Sequence, residues 1–264
     1  MGRKSPPENI LDKIRTALEQ LKLPGMLEGL EQTAAQPDGA ESRYELLWRL
    51  LDRQLTWRKE KTVARRIKEA RFPASKTLDT FDFDFQTGVD RQQIMDLATL
   101  EFVRQGQNLL LGGMSGTGKS HLAISLGHLA CGAQYRVQYT TSANMLSKLY
   151  SSLPSNSLAT ATSTYLRCDL LIIDEVGLDG PERAHDLDAQ LFYRIIAPRY
   201  EASKSTIVTS NIPWKNWGAH FHDDIATVPI LDRLVHHGFA VSIDGPSYRA
   251  KEHERLNAKK VMGD

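Results

Sequence analysis

The run Gly113-Met-Ser-Gly-Thr-Gly118-Lys119-Ser120 constrains this chain more than any other segment, because it fits G-x-x-x-x-G-K-[ST] at every required position. Such a loop does its chemistry between a strand and a helix. Its glycines let backbone N–H groups crowd around phosphate oxygens, and the helix that follows adds the positive end of its dipole. The flanks agree, with Leu109–Leu111 reading as strand and His121–Ala130 as helix. Gly113, Met114, Ser115, Gly116, Thr117 and Gly118 are therefore expected to wrap a polyphosphate. Lys119 is expected to reach the β- and γ-phosphates, and Ser120 to supply a hydroxyl ligand for Mg²⁺.

A second run, Leu170-Leu-Ile-Ile-Asp174-Glu175, is apolar and ends in two carboxylates. In a parallel sheet its C-terminal end opens on the crevice that holds the ligand. Asp174 is placed to orient the Mg²⁺ shell and Glu175 to polarise an attacking water as general base. The second carboxylate suggests a hydrolase with its own base and argues against a small-molecule kinase. Thr206-Ile-Val-Thr-Ser210-Asn211 is another strand with a polar end. Asn211 either hydrogen-bonds the attacking water or γ-phosphate, or simply turns the chain before Pro213. Arg233 is either a surface partner of Asp232 or an arginine that stabilises the phosphoryl group from a neighbouring subunit. Arg249, in Gly245-Pro-Ser-Tyr-Arg, is a second candidate for that role.

Short β-type runs recur at 108–111, 136–140, 170–174, 206–209 and 239–243, separated by helical stretches. The alternation predicts an α/β fold, a parallel five-stranded sheet flanked by helices. Residues 151–164, rich in Ser, Thr and Asn, read as a polar loop between two helices. Upstream, residues 1–72 read as a small all-helical domain. Ile10, Leu11, Ile14, Leu18 and Leu21 have helical spacing, and Pro24-Gly25 interrupts before Met26, Leu27 and Leu30 resume. Pro37-Asp38-Gly39 signals a turn. A long helix follows, with Leu47, Leu51 and Leu55 in one stripe, and ends before Pro73. Residues 73–90 alternate aromatic and acidic residues and read as a linker lying against the main domain, which extends over 73–264.

With 33 Lys plus Arg against 32 Asp plus Glu, the net charge of +1 excludes a histone-like basic protein. Any nucleic-acid site must be a local patch. The most basic stretch holds Arg58, Lys59, Lys61, Arg65, Arg66, Lys68 and Arg71 and can contact several phosphates regardless of sequence, or can be a solvated helix face. Cys131 and Cys168 form no CxxC pair and read as reduced thiols of a cytosolic protein. No apolar run approaches the ~18 residues that span a bilayer. The amino terminus has no apolar h-region. The histidine pairs His220/His222 and His236/His237 lack metal-site spacing.

Taken together, the motifs resemble the AAA+ ATPases, and within them the IstB-like transposition helpers, relatives of the DnaC helicase loader. Leu21-Lys-Leu-Pro-Gly-Met26, Ala70-Arg-Phe-Pro73, Leu231-Asp-Arg-Leu-Val-His236 and the Gly245–Arg249 tail carry this alongside the two nucleotide motifs. The resemblance implies ATP and Mg²⁺ as ligands and a bacterial, cytoplasmic homo-oligomer with ATP at subunit interfaces. It implies assembly on double-stranded DNA, where the protein recruits or stimulates an IstA-like transposase. It places Asn211 at the sensor-1 position and Arg233 at the arginine finger. The chain departs from the family loop, which often has two prolines, at Met114 and Ser115. A replicative helicase loader binding single strands is the alternative. A non-ATPase scaffold is a further rival, which the intact Lys119, Asp174 and Glu175 oppose.

Overall fold

Asn9 accepts a hydrogen bond from the Leu11 N–H at 3.2 Å and so caps α1 (Ile10–Gln20). Pro24 opens α2 (Pro24–Ala34), where its missing N–H costs nothing. α3 (Arg43–Ala70) is the long helix that the uninterrupted sequence predicts. The computed structural model describes residues 9–34, 42–178 and 187–251, so the Pro37–Gly39 turn and the first residues of the chain lie outside the described part. Two compact units, 1–65 and 66–264, divide within α3.

In the first unit the core is Leu18, Leu30 and Leu50, with Leu11, Leu23, Met26, Leu27 and Leu46 around them. The face of α3 that this core uses differs from the expected stripe. Leu47, Leu51 and Leu55 are 50, 43 and 60 % exposed, whereas Leu50 and Gln54 are buried. The cause is a polar group in the buried face. Gln54 Oε1 accepts from the N–H groups of Gly25 at 2.9 Å and Met26 at 3.2 Å, satisfying the open first turn of α2. A purely apolar pattern does not reveal such a face.

In the second unit, residues 73–90 include a 3₁₀ turn at Leu78–Thr80. Phe72, Leu78, Phe81 and Phe83 rest against the unit's core. α4 (Arg91–Ala98) and the short α5 (Glu101–Arg104), unassigned from sequence, follow. Then come β1 (Asn108–Gly113), α6 (Lys119–Gly132), β2 (Val137–Thr141), α7 (Ser142–Ser152) and α8 (Leu158–Arg167). β3 (Leu170–Val176), α9 (Asp188–Glu201), β4 (Ser205–Ser210), α10 (Trp217–Phe221), α11 (Asp224–His236) and β5 (Gly238–Ile243) complete it. The strands form one parallel sheet in the order β2-β3-β4-β1-β5.

Strand residues alternate between two cores, as the period of two requires. Leu109, Leu111, Ile172 and Ile207 join Leu122 and Leu126 of α6 on one face. Leu110, Leu171, Ile173 and Val208 face α7 to α11 on the other, against Met145, Phe192, Trp217 and Ile230. One segment corrects the sequence reading. Residues 158–164, expected in a polar loop, form most of α8, and only 153–157 connect it to α7. Ala161 and Tyr165 give that helix a buried stripe that its Ser and Thr content conceals.

Candidate active site

The phosphate loop joins β1 to α6. Gly116 (φ +84°) and Gly118 (φ +99°) adopt left-handed backbone, and a Cβ at Gly118 would meet the Phe81 ring at 2.6 Å. Ser115 to Ser120 line a cleft of about 380 Å³ together with Phe81, Phe85, Glu175, Asn211, Tyr248 and Arg249. Gly113 and Met114 act differently: their carbonyls accept hydrogen bonds from Lys119 Nζ at 2.7 and 2.6 Å. Burial pushes the Lys119 ammonium below its ordinary pKa. The Arg249 charge adds to this and Asp174 opposes it.

The acidic pair sits on a β-bulge. Ile173 pairs with Val208 and Val176 with Ser210, so Asp174 and Glu175 together oppose the single residue Thr209. Glu175 has φ +63°, and its N–H donates to Thr209 Oγ1 at 2.9 Å. On a regular strand consecutive side chains point to opposite faces. Here the extra residue re-aims them. Both carboxylates line a second cleft of about 560 Å³ that adjoins the first, and Glu175 lines both.

Asp174 is buried and accepts from three hydroxyls: Ser120 Oγ at 2.9 Å and Thr209 Oγ1 on Oδ1, and Tyr139 OH at 2.7 Å on Oδ2. A phosphate-loop hydroxyl beside a carboxylate oxygen is a pair of hard donors. That suits Mg²⁺, which takes few protein ligands and keeps waters and substrate phosphates in the rest of its shell. Turned so that its nitrogen and not its oxygen faces them, the Asn211 amide donates to the carbonyls of Val176 and Gly177 at 3.1 Å each, the orientation that pairs donor with acceptor, and the residue lines the cleft.

Two segments far apart in sequence close over the loop. Gln86 Nε2 donates to Thr117 O at 2.8 Å and to Pro246 O at 3.2 Å, and the Tyr248 N–H donates to Gly116 O at 2.9 Å. The Gly245–Arg249 tail is thereby held on the phosphate loop, and Arg249 lines both clefts of its own chain. Arg233 is among the lining residues of neither cleft. Its guanidinium lies 5.1 Å from the Tyr193 ring and 5.8 Å from the Tyr200 ring, and it donates to Pro229 O at 3.1 Å.

A family model described as IstB-like ATP binding protein matches residues 16–256. The chain belongs to this family. It is 36% identical over 249 residues to the insertion sequence IS232 protein of Bacillus thuringiensis subsp. berliner, described as ATP-binding, covering 93% of this chain and 97% of that one. It is also 36% identical over 243 residues to the corresponding IS21 protein of Pseudomonas aeruginosa, covering 92% and 90%. The crystal structure of the DnaC helicase loader shares the fold, with a TM-score of 0.51 at 21% identity over 63% of this chain and 96% of that one. The chain is thus an ATPase of the IstB-like ATP-binding family. No helix among the described residues is long and apolar enough to cross a membrane.

The IstB-type site contains groups that the motifs did not reveal. Thr209 had a usable signal, since it lies at the polar end of β4, two residues before Asn211. Tyr139 and Gln86 had none, being brought to the site by sheet pairing and tail closure alone. On α3, Arg58, Lys61, Arg65 and Lys68 are exposed and recur at intervals of three and four, hence on one stripe about 15 Å long. Lys59 is exposed beside them. Arg66 departs from the group: it is half-buried, with its Nε enclosed.

Proposed function

We propose that this ATPase assembles in its ATP-bound form on double-stranded DNA and there recruits or stimulates the transposase of its insertion sequence. The observation that carries the reading is the contrast between the two arginines. Arg249 lies at the nucleotide cleft of its own chain, whereas Arg233 lies outside it and is held by aromatic rings. An arginine kept away from its own site suits action on a neighbour's γ-phosphate, so nucleotide binding and assembly are coupled. Binding of DNA rests on the exposed cations of α3, in particular Arg58, Lys59, Lys61, Arg65 and Lys68, whose contacts to phosphates are independent of base sequence and weaken with salt.

In this mechanism Lys119 leaves the Gly113 and Met114 carbonyls for the β- and γ-phosphates, and backbone N–H groups of 115–120 hold the phosphate oxygens. Ser120 and Asp174 would hold Mg²⁺, which when bound neutralises charge on the phosphates. Glu175 takes a proton from the attacking water, and Asn211 Oδ1 accepts the water's other hydrogen. Arg249 stabilises the phosphoryl oxygens from the same chain and Arg233 from the next one.

Mixing two inactive variants tests the arrangement between subunits. Arg233→Ala keeps its phosphate loop, and Lys119→Ala keeps its Arg233. If Arg233 acts on a neighbouring site, the mixture recovers ATPase activity that neither variant shows alone. A mixture as inactive as its parts would contradict it.

A further inference from the structure

We propose that Tyr139 is a positioning residue for the metal-dependent step, its hydroxyl fixing the Asp174 carboxylate in the rotamer that meets Ser120. The proposal rests on the reading of Asp174 as part of the Mg²⁺ shell. Tyr139 lies on β2 and pairs with Ile172 of β3, so its side chain reaches along the sheet toward the acidic end of that strand. It is 8% exposed, and its ring meets the Phe72 ring edge-on at 6.3 Å. The ring is therefore held by packing, and the hydroxyl donates to Asp174 Oδ2 at 2.7 Å.

The other two donors, Ser120 and Thr209, converge on Oδ1. A carboxylate bonded at one oxygen alone can turn about its terminal torsion, which is broad and roughly two-fold. The Tyr139 hydroxyl removes that freedom. It keeps Oδ2 engaged and Oδ1 beside Ser120, where the two oxygens form the hard pair described above. A hydroxyl that carries no charge does this without competing for the cation. Groups that support ligating carboxylates in this way typically change metal affinity by 10–100-fold when removed.

Tyr139→Phe deletes only the hydroxyl and keeps the packed ring. Binding of a fluorescent methylanthraniloyl-ATP is measured against Mg²⁺ concentration, and again in EDTA, for the full chain, for Tyr139→Phe and for Asp174→Asn. The expected result is unchanged affinity in EDTA, a melting temperature lowered by a few degrees for the one lost bond, and a Mg²⁺ half-saturation raised about tenfold in Tyr139→Phe. If Asp174→Asn shifts the Mg²⁺ dependence and Tyr139→Phe does not, Tyr139 has no positioning role. If neither shifts it, the metal role of Asp174 falls and this inference with it. If Tyr139→Phe loses affinity equally with and without Mg²⁺, the residue is merely structural and the proposal is overturned.

Discussion

Thr209 offers the sharpest test of how the site is built. Its hydroxyl accepts from the Glu175 N–H at 2.9 Å and donates to Asp174 Oδ1, so one oxygen ties both members of the acidic pair to β4. Thr209→Val keeps the shape and the β-branched backbone preference while deleting both bonds. Loss of a hydrogen bond to a charged acceptor costs about 1.5–3 kcal/mol, and an unsatisfied buried N–H about 1–3 kcal/mol. Ser120 and Tyr139 still hold Asp174 in the variant, so the lower ends apply and the expected loss of stability is about 2.5 kcal/mol. The left-handed backbone of Glu175, which itself costs about 1–2 kcal/mol, then loses its anchor, and the carboxylate no longer sits reproducibly at the water. Turnover is expected to fall about 10–100-fold, with nucleotide affinity in EDTA kept. Urea unfolding and steady-state phosphate release read the two effects. Thr209→Ser, which restores the hydroxyl, should recover most of both. If Thr209→Val matches the parent in stability and turnover, or if Thr209→Ser is as impaired as Thr209→Val, the bulge is not held as described.

Two further outcomes concern the frame of the ATPase unit. Arg199 is 1% exposed and donates to the carbonyls of Tyr165, Cys168, Asp169 and Ser205, and to Thr206 Oγ1, so it satisfies strand and helix ends that meet there. Arg199→Lys cannot supply this fork and should cost about 3 kcal/mol, lowering Tm by about 6–12 °C in calorimetry; an unchanged Tm would refute the role. Asp169 joins the starts of β2 and β3 through the Arg136 backbone N–H at 2.8 Å and its guanidinium at 2.7 Å. Burial raises the Asp169 carboxyl, but these bonds outweigh it and leave its pKa below the ordinary value. Its stabilisation is therefore complete above the ordinary carboxylate range and is lost as pH falls through the lowered folded value. Asp169→Asn should accordingly flatten the dependence of unfolding free energy on pH below about 5, and an unchanged slope would count against the bond.

The parts of this protein legible in its sequence are those whose signal is local. The strand runs at 108–111, 136–140, 170–174, 206–209 and 239–243 each lie within an observed strand, or overlap it but for Arg136, because a buried parallel strand is a short apolar run. The phosphate loop was legible because its chemistry demands residue types at fixed spacing. Tyr139, Gln86 and the position of Arg249 were not, because they are brought in by pairing between distant segments. α8 reads as loop because its Ser and Thr content outweighs the short stripe of Leu158, Ala161 and Tyr165. The buried face of α3 was misread for a related reason: its central residue, Gln54, is a polar group spent on capping α2.

The central claim is that ATP binding drives assembly on duplex DNA, and nucleotide-dependent DNA binding tests it most directly. Labelled duplex and single-stranded DNA are offered to the full chain and to Glu175→Gln with ATP, ADP or no nucleotide, at low and high salt. The account predicts slow-migrating multimeric complexes on duplex DNA with ATP only, weakened by salt and longer-lived in Glu175→Gln. Equal binding with ADP, or a preference for single strands, would contradict it.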